Sequence, residues 1–142
     1  MLTPLATLPY RHVLTLPTEP SAVRIARETA ELTLNGWGIG LQHPAIAPAL
    51  LILSELVTNS IRHAAAHSPQ VTVIYGAGRD RLVLAVHDTH PYRPPLDGTV
   101  ATTGGGGGLA TVMELVLDLG GTAVVRADAL VGGKSIWITL PL

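Results

Sequence analysis

Residues 50–65, LLILSELVTNSIRHAA, are the stretch of this chain that decides its fold. Their apolar positions recur every three or four residues, which predicts an amphipathic helix that buries one side in the core. Glu55 and Asn59 lie four residues apart, and Arg62 and His63 continue the row at the next turn. Side chains at this spacing emerge on one face of a helix. We therefore expect a buried central helix on which these four residues form a polar seam.

The pairing of Glu55 with Asn59 suits phosphoryl chemistry. The side-chain oxygen of Asn59 is a hard ligand of the kind that Mg²⁺ prefers, and the carboxylate of Glu55 can accept a proton from a hydroxyl or a water. A carboxylate and a carboxamide one turn apart can share one small ligand. The alternative is the solvated face of an ordinary amphipathic helix. The rest of the chain has to decide between these two interpretations.

Length and composition predict a single globular domain. A chain of 142 residues can form one domain with one core and is too short for two ordinary domains. Hydrophobic residues make up 47% of the chain and charged residues 13%, which is typical of a compact globule. The formal net charge of -1 provides no basic field, so nucleic acid is not an expected partner.

The composition also bears on compartment. The sequence contains no cysteine, which excludes disulfides and thiolate metal sites. Residues 1–9 are interrupted by prolines and lack the basic head of a secretory signal, so we expect a loose tail there. The polar seam interrupts the longest apolar run, so no membrane span and no membrane partner are expected. The cytoplasm is the expected location.

Hydrophobic periodicity and turn signals predict five strands and three helices. The predicted order is strand 12–16, helix 21–35, the central helix to about residue 66, strands 70–75 and 81–88, helix 109–119, and strands 122–126 and 135–140. Pro17 places the first strand at an edge of the sheet. The glycine-containing segment 76–80 predicts a hairpin between the two strands that flank it.

A run of five glycines, Gly104 to Gly108, leads directly into the helix predicted from Leu109. Glycine leaves the main-chain N–H groups unobstructed, and the amino end of a helix carries a positive partial charge. The junction is therefore a candidate cradle for a phosphate. The alternative is a flexible linker of low complexity.

Asp88 is a third candidate site, because it ends a predicted strand and opens the long loop 89–108. Its carboxylate could accept a hydrogen bond from an exocyclic amine such as that of adenine. The alternative is an aspartate that simply ends a strand and turns the chain.

Two other motifs are rejected. The segment 132–135, GGKS, looks like the end of a P-loop, but Asp128 stands where the first glycine belongs and a terminal strand follows. His63 and His67 have the spacing of a helical zinc pair, but no glutamate follows His63 and Pro69 ends the helix. Neither a P-loop nor a zinc site is expected.

The order of the three candidate sites resembles the GHKL, or Bergerat-fold, ATP-binding superfamily, and the resemblance covers nearly the whole chain. It is closest to the small single-domain ATP-binding regulators related to anti-sigma-factor serine kinases. Residues 55–64, ELVTNSIRHA, look like the first box of that group, and residues 133–137, GKSIW, look like its closing strand.

The resemblance implies a histidine-kinase-like ATP-binding domain over residues 1–142, with ATP and Mg²⁺ as ligands. Its fold class would be α+β: a two-layer sandwich of the Bergerat type, in which a mixed, mainly antiparallel sheet is covered on one face by about three helices. The partner would be a regulatory protein, and a homodimer is compatible with the resemblance.

The resemblance also implies roles for individual residues. Asn59 would bind the Mg²⁺ that bridges the phosphates, Glu55 would act as general base, and Asp88 would receive the adenine amino group. The other implied cofactor-binding positions belong to the first box and to the glycine loop: His63, Gly104, Gly106, Gly108 and Leu109.

Departures from the family pattern leave two functions open. Residues 88–92, DTHPY, lack the glycines of the family's DxGxG box, and the glycine run carries no basic side chain. The first function is a serine/threonine protein kinase of the anti-sigma type that phosphorylates a sigma factor or an anti-anti-sigma-like substrate. The second is a nucleotide-dependent or degenerate protein-interaction module without phosphotransfer. A detached half of a histidine kinase fits less well, because no phosphoacceptor helix is evident.

Overall fold

The structure, a computed structural model, describes residues 8–90, 107–128 and 132–142. Within these ranges the chain forms five strands and three helices, in the predicted order. Their bounds are β1 (Tyr10–Pro17), α1 (Ser21–Gly36), α2 (Ile46–Ala64), β2 (Gln70–Ala77), β3 (Arg81–Asp88), α3 (Gly107–Asp118), β4 (Thr122–Ala127) and β5 (Lys134–Pro141). The bounds of β3 are those predicted.

The five strands form one sheet in the order β1-β2-β3-β5-β4. β1 is an edge strand, as Pro17 predicted, and β2 and β3 form the predicted hairpin. Every described strand pair is antiparallel, so the parallel pairing that a mixed sheet would include is not found among these strands. The prediction of a two-layer α+β sandwich is confirmed.

Helices cover one face of the sheet. α2 contacts α1 and α3 and lies over β3. Alternate residues of the three central strands join the helices in one core, as the period of two requires. They are Val71, Val73, Tyr75, Ala77, Leu82, Leu84, Val86, Ile136, Ile138 and Leu140.

α2 is the amphipathic helix that its sequence predicts. Nine of its residues are buried, while Glu55 and Asn59 are half-buried and Arg62 and His63 are exposed. The helix ends at Ala64, two residues before the predicted end, and the N–H groups of His67 and Ser68 bond to the Ala64 carbonyl oxygen. Among the described residues, no helix combines the length and apolarity that crossing a membrane requires.

The prediction of a loose tail over residues 1–9 is wrong for Leu8. Its side chain is buried against the turn between β2 and β3, where Gly78 leaves room for it. Burial of an apolar side chain stabilises its position, and a periodicity analysis does not detect a single contact of this kind. Residues 1–7 lie outside the described part of the chain.

Tyr75 connects the sheet to the helical layer. Its side chain is fully buried, and its hydroxyl donates a hydrogen bond of 2.7 Å to the carbonyl oxygen of Ala26 in α1. Burial raises the pKa of the Tyr75 phenol above its ordinary value of 10.0, because the phenolate would lose its hydration. The hydroxyl therefore stays protonated and keeps its hydrogen bond.

We predict that Tyr75→Phe lowers the free energy of unfolding by about 1 kcal/mol, because the buried hydrogen bond to Ala26 is lost. Urea unfolding followed by circular dichroism measures the change. Tyr10→Phe is the matched control, since Tyr10 is 46% exposed and its ring stacks on Trp37 with or without a hydroxyl. Equal losses in the two variants would contradict the prediction.

The raised pKa of Tyr75 predicts an alkaline limit to stability. Above about pH 10 the unfolded chain releases the phenolic proton that the folded chain retains, so the free energy of unfolding falls as the pH rises. The slope from this group approaches about 1.4 kcal/mol per pH unit. Urea unfolding at a series of pH values should show wild type losing its advantage over Tyr75→Phe above pH 10. A constant difference between the two would refute this account.

Candidate functional site

The carboxyl-terminal half of α2 meets the end of β3 through a buried hydrogen bond. The Ser60 hydroxyl donates to Asp88 Oδ2 at 2.7 Å, and the two residues are 3% and 1% exposed. Asn59 precedes Ser60, so this bond fixes the polar seam of α2 beside the end of β3. The helix that carries the first predicted site is thereby joined to Asp88, the third predicted site.

Glu55 and Asn59 are half-buried on consecutive turns of α2. Ser54, next to Glu55, is turned back into the helix, where its hydroxyl donates to the Leu50 carbonyl oxygen at 2.9 Å. A half-buried carboxamide oxygen beside a half-buried carboxylate is a donor set that fits Mg²⁺ and a phosphate-bearing ligand. The chemical predictions for these two residues stay predictions, and their position on one helix face is as expected.

Asp88 has a charged partner that the sequence analysis missed. Lys134 Nζ donates to Asp88 Oδ1 at 2.7 Å and to Oδ2 at 3.0 Å, and the main-chain N–H of His90 donates to Oδ1 at 3.0 Å. Lys134 is only 2% exposed, so the ion pair is buried. A signal existed in the sequence, because Lys134 is the single lysine of the chain and stands at the start of the closing strand.

Gly133 explains how Lys134 reaches Asp88. Its φ angle is +89°, and a Cβ placed on it would collide with the Asp88 carbonyl oxygen and with the main chain of Thr89. Only glycine tolerates both the left-handed backbone and this contact. The chain therefore enters β5 directly against the end of β3, where Asp88 and Lys134 are cross-strand partners.

The remaining predicted residues lie in different parts of the chain. His63 is exposed on the last turn of α2. Leu109 packs its side chain in the core and is 7% exposed, so a ligand could contact only its main chain. Gly108 is the second residue of α3, which begins two residues before the predicted start. Gly104 and Gly106 lie outside the described residues.

α3 is about as long as the part of β5 that runs from Lys134 to Thr139. After the helix ends, the N–H of Gly121 bonds to the Val116 carbonyl oxygen, and Gly121 lies directly against the main chain of Thr139 in β5. The twelve residues of α3 span about 18 Å, and Thr139 lies about 17 Å along β5 from Lys134. The length of α3 therefore suffices to return its amino end to the end of the sheet where Asp88 lies.

Two hollows lined by described residues lie elsewhere. One of about 470 Å³ lies beside the turn between β2 and β3, and another of about 480 Å³ lies beside Trp37. Neither is lined by Glu55, Asn59 or Asp88. Residues 91–106, which follow Asp88 closely in the sequence, are outside the described ranges. The implied binding of one nucleotide by Glu55, Asn59 and Asp88 together thus stays a prediction.

The histidines near this end of the sheet do not form a metal centre within residues 8–90, 107–128 and 132–142, where no group of three His, Cys, Asp or Glu side chains could hold an ion. The His67 ring instead lies edge-on to the His90 ring, with 4.8 Å between the ring centres.

Comparisons with known proteins bear on the family and the fold of the chain. A sequence model of the family described as "Histidine kinase-, DNA gyrase B-, and HSP90-like ATPase" matches residues 46–142. The chain is similar to full-length ShkA, solved in complex with AMPPNP, with 21% sequence identity and a TM-score of 0.60 over 92% of this chain and 31% of that chain. This likeness supports the fold. No curated protein matches the sequence.

A second solved structure is similar over a shorter part of the chain. It is the histidine kinase domain of a blue-light activated histidine kinase from Erythrobacter litoralis EL346, with 26% sequence identity and a TM-score of 0.49 over 68% of this chain and 44% of that chain. The present chain thus spans less than half the length of either solved chain.

We predict that Ser60→Ala lowers the free energy of unfolding by about 1.5–3 kcal/mol, because a buried hydrogen bond to a charged carboxylate is lost. Ser54→Ala is the matched control on the same helix. Its hydroxyl bonds only within the helix, and alanine is the better helix former, so we expect a change below about 0.5 kcal/mol. Chemical denaturation of both variants measures the difference, and similar losses would show that Ser60 does not anchor α2.

Proposed function

The chain belongs to the family of histidine kinase-, DNA gyrase B- and HSP90-like ATPases, and from this membership we propose that it binds ATP with Mg²⁺ to regulate a protein partner. The family match begins at residue 46 and therefore includes all of α2. The observation that carries the proposal is the hydrogen bond from Ser60 to Asp88, because it holds the polar seam of α2 beside the end of β3.

The activity that we propose is phosphoryl transfer to a serine or threonine of the partner. The substrate hydroxyl oxygen forms a bond to the γ-phosphorus, the bond from that phosphorus to the β–γ bridging oxygen breaks, and ADP leaves. Glu55 accepts the hydroxyl proton, since its half-buried carboxylate lies on the polar seam. The Asn59 side-chain oxygen would hold the Mg²⁺, which would neutralise charge on the phosphates.

The partner that we propose is a small regulatory protein, either a sigma factor or an anti-anti-sigma-like substrate, in the cytoplasm. The support is the likeness of residues 55–64 and 133–137 to the first box and the closing strand of anti-sigma-factor serine kinases. The consequence of such a reaction would be regulation of transcription.

A second candidate is a protein-interaction module that binds nucleotide without transferring phosphate. The observation in its favour is the carboxylate of Asp88, whose hydrogen-bonding positions are taken by groups of the protein itself. Calorimetry with ATP and Mg²⁺, together with transfer assays using γ-labelled ATP, separates the two candidates. Binding without transfer or hydrolysis supports the module.

We predict that Glu55→Gln lowers the rate of γ-phosphate transfer to purified anti-anti-sigma-type proteins of the same organism by about 100-fold to 10,000-fold, with little change in ATP affinity. The glutamine keeps the size of the side chain and cannot take the proton. Glu114→Gln, an identical change at an exposed position of α3, is the control and should retain the wild-type rate.

Asn59→Ala completes the test, because it should remove the enhancement of ATP affinity by Mg²⁺ that calorimetry measures in wild type. Equal transfer rates in wild type and Glu55→Gln would end the role of Glu55 as a base. If wild type bound neither ATP nor ADP at millimolar concentration, the proposal of a nucleotide-dependent function would fail entirely.

A further inference from the structure

The carboxylate of Asp88 is fully occupied from within the protein. An ionised carboxylate accepts about four hydrogen bonds. Lys134 donates to both of its oxygens, Ser60 donates to Oδ2, and the main-chain N–H of His90 donates to Oδ1. With 1% of Asp88 exposed, the exocyclic amine of a base finds no open acceptor there.

The four bonds differ in how readily they could be given up. The Ser60 hydroxyl can rotate towards the carbonyl oxygen four residues back, as Ser54 does in the same helix. The ammonium of Lys134 cannot leave in this way, because it is 2% exposed and its departure would separate two buried charges. An amine that replaced the Ser60 hydroxyl would still meet a carboxylate whose charge Lys134 neutralises.

The backbone fixes this occupancy. Lys134 is the cross-strand partner of Asp88 in the β3–β5 ladder. Gly133, the residue before Lys134, lies so close to the Asp88 carbonyl oxygen that no side chain fits there. Lys134 is also the single lysine of the chain, so the sequence uses its one ammonium side chain at this position.

We propose that Lys134 weakens the base specificity of the nucleotide site, because it occupies the Asp88 carboxylate from within the protein and keeps it from binding the base. The proposal rests on the proposed function, because it assumes that the site binds a nucleoside triphosphate. Adenine carries an amine where guanine carries a carbonyl oxygen, so a free carboxylate would favour adenine. A neutralised and fully bonded carboxylate discriminates weakly, and affinity then comes mainly from the phosphates.

Calorimetry with ATP, GTP and inorganic tripolyphosphate, each with Mg²⁺, tests the proposal. Wild type should bind ATP and GTP with Kd values within about threefold of each other. Lys134→Met removes the ammonium and keeps an unbranched side chain of similar length. In this variant the preference for ATP over GTP should rise by about 10-fold to 100-fold, because the two hydrogen-bonding positions that Lys134 occupied on Asp88 become free for the adenine amine. Arg79→Met removes a positive charge from the exposed β2–β3 turn and should leave the preference unchanged.

A second measurement needs no substitution and stands even if Lys134→Met does not fold. Labelling with [¹⁵N]lysine gives one side-chain ammonium signal, since the chain has one lysine. Titration of wild type with ATP and with tripolyphosphate, both with Mg²⁺, should affect this signal equally, because the ion pair persists in both complexes. A change that appears with ATP and not with tripolyphosphate would show that the base displaces Lys134, and would overturn the proposal.

The outcomes separate this proposal from the proposed function. If nucleotides bind but wild type already prefers ATP strongly, or if Lys134→Met leaves the preference unchanged, Lys134 does not set base specificity and the nucleotide site still stands. If ATP, GTP and tripolyphosphate all fail to bind to wild type and to Lys134→Met, the proposed function fails, and the role of Lys134 fails with it.

Discussion

The carboxylate of Asp88 is the group on which the arrangement of the candidate site depends. It terminates β3, receives the hydroxyl of Ser60 from α2, and pairs with the ammonium of Lys134 at the start of β5. A charge with so little exposure is stable only where a counter-charge and hydrogen bonds replace its hydration. Because the partners come from two other elements, satisfying this one group also fixes the end of α2 against the sheet, and with it the polar seam.

Much of this architecture could be predicted from the sequence, because the signals are local. The central helix follows from apolar residues at helical spacing over residues 50–65. The end of β3 at Asp88 follows from the prolines and glycines that come after it, and the β2–β3 hairpin follows from two glycines between alternating apolar runs. Each of these signals lies within a stretch of about twenty residues, so the predictions did not depend on pairing distant segments correctly.

What the sequence could not provide are the contacts that depend on register. Lys134 reaches Asp88, 46 positions earlier, only because β3 and β5 are paired with these residues opposite each other. The Tyr75 hydroxyl on the Ala26 carbonyl and the burial of Leu8 have the same origin in tertiary packing. The start of α3 at Gly107 was missed for another reason: glycine is a weak helix former, so propensity argued for a later start than the one observed.

Recognition and stability make opposite demands on a buried polar group. A residue that binds a ligand through hydrogen bonds must keep some of them unmade while the site is empty, and that incompleteness costs stability. Asp88 avoids this cost, because every acceptor position has a partner in the protein. Glu55 and Asn59 remain half-buried on the polar seam, where a ligand can still approach them. The two parts of a nucleotide would therefore meet different conditions. The phosphates would meet an accessible helix face, and the base would meet a carboxylate whose hydrogen bonds are already made within the protein.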